Sequence, residues 1–245
     1  MKNLKNNSLK ERKFKHYILY AFGEIFLIIA GILIAVNINN WNEKRAFLKK
    51  ANSYIADVKK DLEIDTSYFG NAVKRIELKI DYKKRLLNQD SIANYSTRTI
   101  QGILSTGTNN ITINKGAFEK IVESGILTLP EKKFLFEKLD NYYSNYINYL
   151  NEFNKWEENS VKKDMDFWVY QDNYDLEYFD SLYPTHKSES NRKKLMKVLN
   201  SSKGRNYIHM GILREETMKE IYAKTKDIAK KLIGRIDSIQ GQEPQ

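Results

Sequence analysis

Tyr17–Val36, YILYAFGEIFLIIAGILIAV, holds a single charge in twenty residues. A helix rises about 1.5 Å per residue, so this run matches the ~30 Å hydrocarbon layer of a bilayer. A secretory signal peptide needs an apolar core of only about 7 to 15 residues and a small-x-small cleavage site. Here the core is longer, and Leu33 and Ala35 make a poor small pair. The run then passes into Asn37-Ile38-Asn39-Asn40-Trp41-Asn42. A soluble amphipathic helix would carry a polar face, which residues 25 to 36 lack. The stretch therefore predicts an uncleaved, single-pass transmembrane helix over residues 17–36.

The flanks set the expected orientation. Residues 1–16 carry Lys2, Lys5, Lys10, Arg12, Lys13 and Lys15 against Glu11, while Lys44, Arg45, Lys49 and Lys50 follow on the other side. This bias favours a cytoplasmic N-terminal arm. The remainder, residues 37–240 with a frayed tail at 241–245, then lies outside, which in a Gram-negative cell means the periplasm, held at the inner membrane. The arm accounts for half of the formal net charge of +10. Its bases answer to the positive-inside rule and to anionic headgroups, and the rest of the chain intermixes Lys, Glu and Asp. No basic stripe with interleaved aromatics stands apart, so nucleic acid is not an expected partner. With no cysteine in 245 residues, disulfides, thiolate zinc sites and cysteine nucleophiles are excluded.

Three prolines and eleven glycines, with abundant Lys, Glu, Leu, Ile and Tyr, favour long helices. From Trp41 to Leu87 the apolar positions Leu48, Ala51, Ile55, Val58, Leu62, Phe69, Val73, Ile76, Ile80 and Leu87 fall three or four apart. Asp65 sits on that seam. No proline or turn cluster separates this pattern from Val36, so the membrane helix is expected to continue outward, with a kink possible at the asparagines. Gln89–Lys115, rich in Ser, Thr, Asn and Gly, reads as a long loop with Ile111-Thr112-Ile113 as a short extended piece. A short helix over Gly116–Ser124 closes at Gly125, a residue suited to the left-handed cap. Thr128-Leu129-Pro130-Glu131 reads as a capping box with proline in the first turn. The helix it starts runs about forty residues through Leu135, Leu139, Tyr142, Tyr146, Leu150, Phe153, Trp156, Val161, Met165 and Trp168. After a second loop over Gln171–Ser190, containing Tyr183-Pro184, helix resumes at Asn191–Leu199. It breaks at Ser201–Gly204 and continues through Ile208, Ile212, Met218, Ile221, Tyr222, Ile228, Leu232, Ile236 and Ile239. The expected fold is all-α: one N-terminal transmembrane helix continuing into an elongated antiparallel helical bundle of coiled-coil character.

Several residues are candidates for function. A carboxylate about a third of the way into a span costs on the order of 1 to 3 kcal/mol, so Glu24 asks for a partner. Glu24, Gly31, Ala35 and Ile38 share one helical face, and Gly31-x-x-x-Ala35 is the small-xxx-small spacing that lets backbones approach closely. This face is expected to dock against another transmembrane helix, of a second copy or of a partner subunit. Two other readings stand beside it: Glu24 lies near the headgroups, or it couples to a proton or ion. Asn39, Asn40 and Trp41 read as a membrane-interface anchor.

Asp164, Asp166, Asp172, Asp175, Glu177 and Asp180, interleaved with Tyr170, Tyr174, Tyr178 and Tyr183, lack the glycine and glutamate spacing of an EF-hand, and read as a solvated loop over tucked aromatics. His16, His186 and His209 are scattered and suggest no metal site. Tyr142-Tyr143, Tyr146, Tyr149, Phe153 and Trp156 form an aromatic stripe that reads first as core and second as a ligand groove between helices. No nucleophile elbow, zinc motif, phosphate loop or dinucleotide fingerprint is present, so neither catalysis nor a cofactor is expected.

Tyr20-Ala21-Phe22-Gly23-Glu24-Ile25, Gly31-Ile32-Leu33-Ile34-Ala35 and Ile38-Asn39-Asn40-Trp41-Asn42-Glu43 together resemble the N-terminal signature of a family of uncharacterised Gram-negative bacterial membrane proteins. Ala117-Phe118-Glu119-Lys120, Glu123-Ser124-Gly125 and Leu139-Asp140-Asn141-Tyr142-Tyr143 resemble its second block, of which Ile126-Leu127-Thr128-Leu129-Pro130 looks like a variant. The resemblance implies a helical inner-membrane protein and brings no activity and no catalytic residue. The expected function is therefore that of a membrane-anchored binding or scaffold protein, an accessory subunit of a membrane complex. The alternative is an extracytoplasmic ligand-sensing bundle that signals through a partner, because a sixteen-residue arm is too short for an output domain.

Overall fold

A computed structural model describes residues 2–105, 107–177 and 189–241, and side chains from residue 20 onward. Tyr178, Asp180, Tyr183-Pro184, His186, the side chain of His16 and the last four residues of the tail lie outside the described residues. The chain divides into two compact units, Met1–Ser53 and Tyr54–Gln245. Every regular element among the described residues is helical.

The first unit is helix throughout its described residues, and belongs to α1 (Lys2–Leu86), which runs without interruption through Asn37–Asn42. One helix among the described residues is long and apolar enough to cross a membrane, and it is this one. Phe26, Leu27, Ile32, Leu33 and Ile34 are all exposed, and none of the apolar window is buried within the chain.

In the second unit, α1 buries Ile55, Val58, Leu62, Asp65, Phe69, Ala72 and Ile76, at alternating steps of three and four. That period, near 3.5, keeps one seam turned toward a neighbouring helix. The seam takes Ala72 and Leu86 where the periodicity favoured Val73 and Leu87, which are only partly covered. α7 (Ser202–Gln240) answers with Gly211, Glu215, Met218, Tyr222, Thr225, Ala229, Leu232 and Ile236 at the same alternation. The two helices meet through the Phe69 and Tyr222 rings, 5.5 Å between centroids, and through Lys59–Asp237 at 2.6 Å and Lys83–Glu215 at 2.8 Å.

The region expected to be a long loop contains a helix, α2 (Thr97–Leu104), whose N-cap Ser96 accepts a hydrogen bond from the Thr99 amide at 3.1 Å. Ile111 and Ile113 are buried but join no strand. α3 (Gly116–Glu123) ends as expected before Gly125, whose φ of 70° is left-handed and suits a residue without Cβ. The capping box does not form. Thr128 donates its hydroxyl to Gly125 O at 2.8 Å, and single 3₁₀ turns at Ile126–Thr128 and Pro130–Lys132 precede α4 (Lys133–Asp140).

α4 continues through a π-helical turn, Asn141–Tyr146, into α5 (Ile147–Trp168). The wider turn shifts the phase of the buried face. Tyr142 and Tyr143 both point inward, and the seam then follows Ile147, Leu150, Asn154, Glu157, Val161 and Trp168. Tyr149 and Trp156, expected in the aromatic core, are consequently exposed at 61 % and 46 %.

α6 (Glu189–Leu199) turns directly into α7 at Ser201, whose hydroxyl accepts from the Gly204 amide at 3.0 Å. A Cβ on Gly204 would lie 2.2 Å from Val198 O, so this elbow requires glycine.

Candidate functional site

Glu24, Gly31 and Ala35 are exposed on α1, and among the described residues nothing beyond the surrounding turns of the same helix comes within 4 Å of a Cβ placed on Gly31. At 100° per residue the three share one face of the unbroken helix. Asn39, Asn40 and Trp41 are also exposed; Asn39 Nδ2 donates to Glu43 Oε1 at 2.7 Å, and the Arg45 guanidinium lies 5.6 Å from the Trp41 ring centroid.

The acidic and aromatic segment is pinned by ordinary partners. Asp164 accepts from Arg214 at 2.6 Å, Tyr174 donates to Trp168 O at 2.6 Å, and the buried Glu177 accepts from Asn191 Nδ2 at 2.8 Å. His209 is exposed on α7. Among the described residues no group of three or more histidines and acids is arranged to hold a metal ion.

The most unusual chemistry lies in the second unit, at Asp65. The α1 seam places this carboxylate where Leu62 and Phe69 are its buried neighbours, leaving it 2 % exposed. It survives there because the π turn brings Tyr142 opposite, and the Tyr142 hydroxyl donates to Asp65 Oδ2 at 3.1 Å. Desolvation outweighs that hydrogen bond and raises the Asp65 pKa to about 7, with a further push from the negative charge of Asp61.

Asp61, one turn earlier, accepts from Asn114 Nδ2 at 3.1 Å and from the Ala117 amide in the first turn of α3. Burial nonetheless raises its pKa, and its Oδ2 is buried with no hydrogen-bond partner. Behind the pair stands Tyr143, 1 % exposed, stacked on Phe118 at 4.7 Å between centroids. Its hydroxyl also has no partner among the described residues; burial, then the charges of Asp65 and Asp61, push its pKa up.

Asp61 and Asp65 open on a groove of about 720 Å³ between α1 and the segment 112–119. Ile64, Tyr68 and Ile113 supply apolar wall, Glu119 a third carboxylate and Lys115 the one lysine. The Lys115 ammonium donates to Asn148 Oδ1 at 3.0 Å, outside the groove's lining. The groove thus has more acids than bases in its lining, apolar walls and one buried acceptor oxygen, Asp61 Oδ2, with no donor among the described residues. That set can receive a cationic donor group and has little to offer an anion.

A second buried polar layer lies farther along α1. Lys79 donates to Gly107 O at 2.9 Å and Asn109 Oδ1 at 2.7 Å. Asn109 Nδ2 donates to Glu157 Oε1 at 2.8 Å, and Tyr222 donates to Asn109 O at 2.8 Å. Burial lowers the Lys79 pKa, against the nearby Glu215 and Glu157 charges. These groups satisfy one another and tie the 107–110 segment to α1, α5 and α7, so the layer reads as structural.

Of this site, the sequence singles out Asp65 as a carboxylate on an apolar seam. Asp61 is i−4 from it and gives no signal of its own, because its role depends on α3. Tyr142 and Tyr143 read only as part of the aromatic stripe. Comparison with protein-family models, curated proteins and solved structures returns no match. The family resemblance accordingly rests on its own residues.

Proposed function

We propose that this chain is a membrane-anchored binding protein without catalytic activity, acting as a scaffold or accessory subunit of a membrane complex. The observation that carries the reading is the uncovered apolar stretch of α1, far longer than the scattered exposed hydrophobics of a water-soluble surface. Lipid covers it in this proposal. The basic arm lies in the cytoplasm and the Tyr54–Gln245 unit in the periplasm, at the inner membrane of a Gram-negative cell, in keeping with the resemblance drawn above. That unit is an antiparallel helical bundle. In support, the ion pairs join ascending positions of α1, Lys59 and Lys83, to descending positions of α7, Asp237 and Glu215. Glu24, Gly31 and Ala35 form the face that docks on another span, a second copy or a partner subunit, with Asn39, Asn40 and Trp41 at the interface.

Fractionation with protease protection tests the anchor. Intact cells should shield the chain, and opening the outer membrane should expose everything beyond residue 50; recovery of full-length protein from the cytosol overturns it. Mild-detergent purification tests the docking face. A co-purifying partner or second copy should be lost on Glu24→Leu or Gly31→Leu, and its retention in both refutes that face.

The Asp61–Asp65 groove favours a second reading, a ligand-sensing bundle that signals through a partner. A sensor gains thermal stability with a small ligand, whereas a scaffold does not.

A further inference from the structure

We propose that the groove between α1 and residues 112–119 binds an organic cation, its primary ammonium seated between Asp61 and Asp65 and its apolar body against Ile64, Tyr68 and Ile113. The inference deepens the ligand-sensing reading and is independent of how the chain is anchored.

Three observations converge on it. The first is charge: Asp61, Glu119 and, once ionised, Asp65 line the groove, whose one lining lysine, Lys115, is engaged by Asn148, with Lys120 acting on Asp61 from outside the lining. The second is unmet hydrogen bonding. Asp61 Oδ2 is a buried acceptor with no donor, and the Tyr143 hydroxyl, on a side chain 1 % exposed, stands without a partner in the field of both carboxylates. Buried polar atoms of native proteins are nearly all paired, so the Asp61 acceptor marks a donor missing at the groove, and the Tyr143 hydroxyl, behind the lining, adds a second polar atom without a partner. An ammonium brings three donors and a charge; a water brings two donors and none. The third is shape. A volume of about 720 Å³ with two isoleucines and a tyrosine in its wall exceeds what a bare ion fills, and among the described residues Asp61, Asp65 and Glu119 are not arranged to hold a metal ion together.

Binding is coupled to protons. Asp65 is held largely neutral below pH 7 by burial, with Asp61 adding to the effect. The charged and titratable groups around the pair are Asp57 on α1, Glu119 and Lys120 on α3, Lys115 before it, and Tyr142 and Tyr143 on the π turn. A cation seated at the carboxylates favours the ionised form, so Asp65 gives up its proton as the cation enters. For a group titrating near 7, the ionised fraction rises about tenfold from pH 6 to pH 8, and affinity follows it.

The test titrates 2-phenylethylammonium into the full chain in detergent micelles by calorimetry, with 2-phenylethanol and phenylacetate as neutral and anionic controls. Saturable binding of the ammonium, at least tenfold tighter than either control and about tenfold tighter at pH 8 than at pH 6, is the expected result. Asp61→Asn should weaken it at least tenfold, and Glu119→Gln, at the groove's rim, two- to threefold without altering the unliganded melting temperature. Lack of saturable binding, equal binding of the alcohol, or undiminished binding in both variants overturns the proposal. Affinity unchanged between pH 6 and pH 8 overturns the proton coupling. If buried water or a proton shared by Asp61 and Asp65 alone satisfies the orphans, the calorimeter records no saturable heat. That result would leave the fractionation result, and with it the anchor, untouched.

Discussion

Asp65→Asn isolates the cost of keeping a carboxylate on an apolar seam. In the folded chain Asp65 titrates near 7, against 3.8 for a free side chain, because burial disfavours the charge more than Tyr142 supports it. Between those two pH values the native state holds a proton that the unfolded state has released, so stability falls as pH rises from about 4 to 7 and stays at the lower level above. At about 1.4 kcal/mol per pH unit, a shift of about three units amounts to ~4 kcal/mol. Asparagine has nearly the same shape, keeps an acceptor for the Tyr142 hydroxyl, and never ionises. The variant should match the parent near pH 4 and exceed it by up to about 4 kcal/mol at pH 8. Urea unfolding of the full chain in micelles, followed by circular dichroism from pH 4 to pH 8, measures the difference. A stability gap that does not change with pH would refute the assignment of the shift to burial of this carboxylate.

The Lys83–Glu215 pair, 6 % and 3 % exposed at its side chains, predicts a large asymmetry. Lys83→Met strands a buried carboxylate and should cost about 3–5 kcal/mol, while adding Glu215→Leu should recover most of it; equilibrium unfolding of the single and double variants decides. Tyr143→Phe removes a buried hydroxyl that bonds to nothing, so without ligand its stability should equal or exceed the parent's by about 1 kcal/mol. A marked loss in thermal melts would show an unrecognised partner. Gly204→Ala drives a Cβ into the Val198 carbonyl and should cost at least about 2 kcal/mol, read as a lowered urea midpoint, whereas Gly70→Ala, with open space around it, should be close to neutral or stabilising.

What was legible in the chain was local and periodic. One charge in Tyr17–Val36 suffices to read a helix long and apolar enough to cross a membrane. The three-and-four spacing of Ile55, Val58, Leu62, Phe69 and Ile76 suffices to read one buried stripe, because both follow from 3.6 residues per turn acting on neighbours in sequence. Gly125 likewise announces its own left-handed turn. Phase and partnership lay beyond that reach. The π turn at Asn141–Tyr146 adds width to one turn, turns Tyr143 inward and Tyr149 and Trp156 outward, and no spacing rule marks where such a turn is accommodated. α2 escaped notice because its eight residues carry few apolar positions, and its Ser96 cap is a single hydroxyl among many. The site depends on meetings across the chain: Asp65 with Tyr142, 77 residues on, Asp61 with Asn114, 53 on, and Lys83 with Glu215, 132 on. A carboxylate's burial, and hence its proton affinity, is set by what packs over it, so the sequence could show an acid on an apolar seam while only the packed helices made it one that titrates near neutrality.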